Sequence, residues 1–123
     1  MNVVAIAAAA ALGALSRYGI ERLVPAGGDG TSYLATLLVN LTGALALGLA
    51  IGALGARFAA HPNLRLLVTV GFLSSYTTFS ALAFQTVHLA ERGRIGVAAA
   101  YVVGSVAGGI VLAYAGLAAG RAL

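Results

Sequence analysis

Gly71-Phe72-Leu73-Ser74-Ser75-Tyr76-Thr77-Thr78-Phe79-Ser80 sits in the middle of an apolar segment that runs from Leu64 to Leu89. Such a segment is long enough, at 1.5 Å rise per residue, to cross a hydrocarbon layer of roughly 30 Å. Five hydroxyl residues and a tyrosine therefore fall near the expected bilayer centre, where hydrocarbon offers them no partner. Serines and β-branched threonines in succession are indifferent helix formers, and their hydroxyls compete for backbone groups. Two readings follow. The stretch is either a polar helix buried in a bundle or a helix break whose freed carbonyls and amides bind an ion. The density of hydroxyls favours the break.

Outward from that stretch the chain repeats the same apolar theme. Three more spans run from Val3 to Leu23, Tyr33 to Leu54 and Ile95 to Ala119. Each has the length of a membrane helix, and none shows the ten-residue alternation of a membrane barrel. The 123 residues are 61% apolar and only 8% charged, with a mean hydropathy of +1.01. Soluble domains are about one-quarter charged, which excludes a water-soluble globule. The alanine-rich start lacks a basic region ahead of its apolar run, and Arg17 follows that run, so it reads as a retained helix and not a signal peptide. Pro25, Gly27, Gly28, Asp29 and Gly30 form the first loop, with Thr31 or Ser32 available to cap the next helix. His61-Pro62-Asn63 and the Glu91–Arg94 turn make the other connections. The expectation is a single four-helix, all-α integral membrane domain over residues 1–123.

Charge excludes some functions and leaves the orientation open. The net charge is +4, carried by arginines at segment ends, with no basic polar face of the kind that binds nucleic acid. There is no cysteine, and His61 and His88 lie at helix ends far apart in sequence, so no nucleophile–base pattern suggests an enzyme. Arg57, Arg65 and Arg121 fall on the side of the termini; Arg17, Arg22, Arg92 and Arg94 fall on the other. That balance gives almost no positive-inside bias. Either another cue resolves a weak topology signal, or the protein inserts both ways up and the two orientations assemble antiparallel. Four spans enclose little by themselves, which favours the second reading. Gly48/Gly52, Gly104/Gly108 and Gly116/Gly120 have the G-x-x-x-G spacing of close helix contacts, without saying which helix meets which.

The other polar residues inside spans share helix faces. Thr36 and Asn40 lie one turn apart, with Thr42 nearby, and Tyr101 and Ser105 are also four apart. Asn40 reads either as interhelical glue or as a functional amide. Ser105 has the alternative of bonding back to its own helix.

Three segments together resemble the signature stretches of the CrcB/Fluc fluoride channels. They are Gly13-Ala14-Leu15-Ser16-Arg17-Tyr18, Thr36-Leu37-Leu38-Val39-Asn40-Leu41-Thr42-Gly43, and Gly71-Phe72 through Thr77-Thr78-Phe79-Ser80. The similarity covers all four spans in order and spacing. It implies a fluoride-specific ion channel that exports cytoplasmic fluoride by passive flux, multi-pass in the cell inner membrane. It implies antiparallel dual-topology dimers with two pores and one structural sodium ion between the subunits. By the same resemblance Asn40 is the pore asparagine and Phe79 the first pore phenylalanine. Thr78, Ser80, Tyr101 and Ser105 carry hydroxyls beside the fluoride path, and Arg17 matches an arginine closing the first helix. The sodium positions fall on the backbone carbonyls of Ser74 and Thr77.

The chemistry suits the ion. Fluoride is small and strongly hydrated, so a dry pore must replace water with close donors. An asparagine amide and the Ser, Thr and Tyr hydroxyls supply them, and Phe79 can present its positive ring edge. Arg17 either attracts anions at a vestibule or snorkels to the headgroups. The chain also departs from the family pattern. Leu82 stands where a second pore phenylalanine is expected, Gln85 where an acid is expected, and Ser74-Ser75 replace a glycine pair. The expected partner is therefore either a second copy or a different subunit that completes the pore. A small multidrug-resistance-like transporter is the alternative class, but it would need a membrane-embedded carboxylate, and the first span has none before Glu21.

Overall fold

The structure, a computed structural model, describes residues 3–123, and among these it is entirely helical, without strands. Four helical spans are long and apolar enough to cross a membrane: Val3–Leu23, Tyr33–Ala60, Pro62–Glu91 and Ile95–Arg121. The first, second and fourth are the single helices α1 (Val3–Leu23), α2 (Tyr33–Ala60) and α6 (Ile95–Arg121). Helix α2 continues past Leu54 to Ala60, because nothing stops it before Pro62. Its start is capped by Ser32, whose hydroxyl accepts from the Ala35 amide at 3.3 Å.

The third span is composite. It begins as α3 (Pro62–Leu66), with Pro62 in the first turn, where its missing N–H costs nothing. It widens into a π-helical stretch over Leu67–Leu73 and returns to an α turn, α4 (Ser74–Tyr76). Thr77 and Thr78 are both extended, and α5 (Phe79–Glu91) then resumes. The end of α5 is closed by Gly93 at φ +73°: its amide reaches the Ala90 carbonyl at 2.9 Å and the Arg94 amide the Leu89 carbonyl at 3.0 Å. This is the left-handed glycine stop that lets α6 begin within a few residues.

Helix packing follows the glycines. On α2, a Cβ at Gly48 or Gly52 would run into the backbone of Ala113 and Leu117. On α6, one at Gly116 or Gly120 would run into the backbone of Leu45 and Leu49. The two G-x-x-x-G pairs thus face one another and bring the α2 and α6 backbones into direct contact. Gly104, with identical spacing to Gly108, has open space around it. Helix α1 makes a second pairing with the first half of the third span, where Gly13 lies against the Phe72 carbonyl and the Tyr76 amide. Helix α5 joins the two pairs: Leu82 and Leu89 are buried with Ala98 and Tyr101 of α6, and Tyr33 and Leu37 pack against that cluster.

Candidate ion site

The site is built where α2 meets the extended pair. Asn40 faces it and clamps Thr78 from both sides: its Nδ2 donates to the Thr78 carbonyl at 3.0 Å, and its Oδ1 accepts from the Thr78 amide at 2.8 Å. Close approach is possible because Gly43, one turn on, has no side chain to meet the Thr77 methyl. Thr42 adds a bond between its hydroxyl and that of Tyr76 at 2.8 Å. The Thr78 hydroxyl accepts from the Ala81 amide at 3.2 Å and so caps α5.

These bonds change which carbonyls are free. In an uninterrupted helix the Thr78 amide would serve the Ser74 carbonyl, and the Ala81 amide would serve that of Thr77. Here the first goes to the Asn40 side chain and the second to the Thr78 side chain. Ser74 and Thr77 therefore present oxygens that have lost their helical donors, and these oxygens suit a hard cation. Both residues, with Asn40, Gly43 and Thr69, line an open groove of about 250 Å³.

On the other side of Asn40 lies a second open groove, of about 360 Å³, lined by Asn40, Thr77, Phe79, Leu82 and Ser105 together with small and aliphatic residues of α6. No carboxylate lines it. Phe79 is 79% exposed, so its ring edge is available. An asparagine amide has two N–H groups, and the Thr78 carbonyl uses one, which leaves one for the groove. The hydroxyls are largely committed, Ser105 in the back-bond that its sequence position allows. Ser105 donates back to the Tyr101 carbonyl at 2.6 Å. Tyr101 donates to the Gln85 side chain, and Gln85 in turn donates to the Thr36 hydroxyl at 3.0 Å. Thr78 and Ser80 share one hydroxyl–hydroxyl bond of 3.3 Å, so one of their two hydrogens stays available.

The structure thus gathers Asn40, Phe79 and Ser105 into one groove and Ser74 and Thr77 into another. Tyr101 lines neither groove and is buried in the α5–α6 cluster, while Thr78 and Ser80 lie at the head of α5. Arg17 stands apart on α1, where its Nε is buried without a hydrogen-bond partner. Leu82, at the position where a second ring was expected, is buried against α6 at 6% exposure and also borders the groove.

Sequence reading treated Asp29 only as a turn residue, yet it organises the loop end of the bundle. Its carboxylate accepts from the Thr31 amide at 3.0 Å and the Tyr33 hydroxyl at 2.9 Å, and it pairs with Arg92 at 3.3 Å. The Thr31 bond above all, then the Tyr33 bond, hold its pKa below the ordinary 3.8, with Arg92 adding to the effect. The Asp-x-Thr spacing was the available signal, because aspartates commonly bond the amide two residues on.

A four-span helical membrane protein, with an asparagine clamped onto an extended pair inside its third span, is the class that fold and site define. The family model described as CrcB-like protein, Camphor Resistance (CrcB), matches residues 4–117, and the chain belongs to that family. It is 42% identical over 121 residues to "Fluoride-specific ion channel FluC 2" of Geobacillus kaustophilus, covering 98% of this chain and 94% of that one. It is 38% identical over 120 residues to "Fluoride-specific ion channel FluC" of Nitratidesulfovibrio vulgaris, covering 98% and 97%. A FluC 2 protein of Nitrobacter hamburgensis is 42% identical over 124 residues, covering 100% and 96%.

Proposed function

We propose that this chain is a fluoride-specific ion channel of the inner membrane, passing cytoplasmic fluoride outward by passive flux. The observation that carries the reading is the Asn40 groove. It offers an unpaired amide hydrogen, an exposed ring edge at Phe79 and no carboxylate to repel an anion. Fluoride entering it gives up water and meets Asn40 first. Ser105 and Tyr101 can donate only after turning from the Tyr101 carbonyl and from Gln85, which a strong acceptor would induce them to do. The transporter alternative has no carboxylate to work with: Glu21 is exposed at the end of α1.

The working unit is an antiparallel, dual-topology dimer, with the helix break at Thr77–Thr78 near the bilayer centre. Extended backbone at membrane depth is tolerated only where protein or water covers it, and both grooves around Asn40 are open on a single subunit. A second copy, inverted, would cover the break of the first and complete both grooves. The near-equal arginine distribution supports insertion in either orientation. A structural sodium ion would be held between the breaks by the Ser74 and Thr77 carbonyls of each subunit. Its fixed positive charge would favour anions in the flanking pores. The surrounding lipid covers the many exposed leucines and valines.

Fluoride efflux from proteoliposomes that contain only this chain tests the reading. Asn40→Asp, which exchanges the amide donor for a repelling charge, should abolish flux with assembly retained. Thr42→Val should cost less, since the Thr42 hydroxyl bonds Leu38 and Tyr76 and lines neither groove. Fluoride flux equal in Asn40→Asp and the parent would overturn the assignment. Silence of the parent with activity restored by a different subunit would replace the homodimer with a heterodimer.

A further inference from the structure

We infer that Asn40 and Thr78 are positioning residues for the cation site: their side chains take up the two amides that would otherwise tie down the Ser74 and Thr77 carbonyls. The inference rests on the sodium reading above and goes beyond it by naming what keeps the ligands available. Neither side chain is assigned as a ligand; each acts through the amide it binds. The Asn40 Oδ1 receives the Thr78 N–H at 2.8 Å, and the Thr78 hydroxyl receives the Ala81 N–H at 3.2 Å. Those are the i+4 amides of Ser74 and Thr77 respectively.

Acceptors compete for these amides. A buried amide without a partner is costly, so each N–H takes whatever acceptor is in reach. Without Asn40 Oδ1, the nearest solution for the Thr78 amide is to fold back onto the Ser74 carbonyl, which extends α4 by a residue. Without the Thr78 hydroxyl, the Ala81 amide can extend α5 backward onto the Thr77 carbonyl. Either change converts a free ligand into a helical acceptor, which a cation must then displace. Asn40 borders both grooves, and its side chain carries both a spare N–H and the Oδ1 that holds the Thr78 amide. The same side chain that meets fluoride also sets the cation ligands.

The two roles separate by substitution. Aspartate at position 40 keeps the acceptor and loses the donor, whereas leucine loses both. Serine at position 78 keeps the hydroxyl, whereas valine keeps the shape without it. The readout is the sodium concentration that half-stabilises the purified protein against heat, with choline as the replacing cation. Asn40→Leu and Thr78→Val should each raise that midpoint about tenfold, the size of losing one hydrogen bond's worth of preference. Asn40→Asp, although dead for fluoride, should keep the parent midpoint or a lower one, and Thr78→Ser should match the parent. A tenfold rise in Asn40→Asp overturns the proposal even if Asn40→Leu fails to assemble. Unchanged midpoints in Asn40→Leu and Thr78→Val overturn it equally. A parent indifferent to sodium removes the cation site itself, which is a distinct result from a responsive parent whose variants do not shift.

Discussion

The α2–α6 seam and the third span solve the same problem by opposite means. Both must hold helices together where hydrophobicity gives no driving force, because lipid is as apolar as leucine. The seam does it with absence. Four glycines remove every side chain between two backbones, and dispersion and weak Cα–H···O contacts fill the gap. The third span does it with presence. From α2, Asn40 bonds the Thr78 backbone and Thr42 the Tyr76 hydroxyl, while Thr69, Ser74, Thr77 and Thr78 spend side chains on backbone groups of their own segment, which is widened and then interrupted. The first arrangement is rigid and chemically silent. The second leaves carbonyls without their helical donors and an amide hydrogen to spare, on residues that line grooves. A scaffold and a site can therefore be told apart by whether backbone groups are satisfied by backbone alone or by side chains.

The largest expected effect tests the seam. Gly116→Val places a side chain into the Leu45 backbone, where only separation of the helices can relieve the clash. It should cost about 3 kcal/mol or more and prevent recovery of folded protein. Gly104→Ala, on the same helix with the same spacing, meets open space and should leave thermal stability of the purified chain near that of the parent. Similar losses in both would mean that spacing matters more than facing backbone.

An intermediate effect sharpens the boundary between the two regions. A Cβ on Gly43 collides with the Thr77 methyl, so Gly43→Ala should destabilise by about 1–2 kcal/mol. Thr77→Ser removes that methyl and keeps the hydroxyl that bonds the Leu73 carbonyl. The double variant should recover most of the loss, and a double-mutant cycle on thermal unfolding should show coupling of about 1 kcal/mol. Strict additivity would mean that α2 does not lean on the extended pair in solution.

The smallest effect lies outside the bilayer, where neither strategy applies. Asp29 has a folded pKa below its ordinary 3.8, so its contribution is complete above that pH and is lost as pH falls below it. Thermal midpoints measured from pH 7 down to pH 3 should fall at the acid end. Asp29→Asn should flatten that part of the curve and leave fluoride flux unchanged, because Asp29 lines neither Asn40 groove. An identical acid slope in both proteins would remove the Arg92 and Tyr33 contacts from the account.

The sequence by itself determined the four apolar spans, their loops, a cap at Thr31 or Ser32 and the concentration of hydroxyls in the third span, because each depends on local composition and hydropathy. It also singled out Asn40. What it left undecided was pairing. Three G-x-x-x-G motifs look alike along the chain, and only the facing of Gly48 and Gly52 on Gly116 and Gly120 shows which pairs bring backbones together, while Gly104 stays open and Gly108 meets only the Leu41 side chain. The direction of the Asn40 amide was equally invisible, since glue and donor demand the same residue, and the fold gives it one half of each role. The Ser105 back-bond to its own helix is one of the two readings the sequence leaves open, whereas the Tyr101 hydroxyl reads as a donor beside the path until Gln85 is placed against it. Hydropathy is a property of single residues summed along a helix. Which carbonyl loses its amide is a property of two segments 38 residues apart meeting in space, and tertiary structure alone decides it.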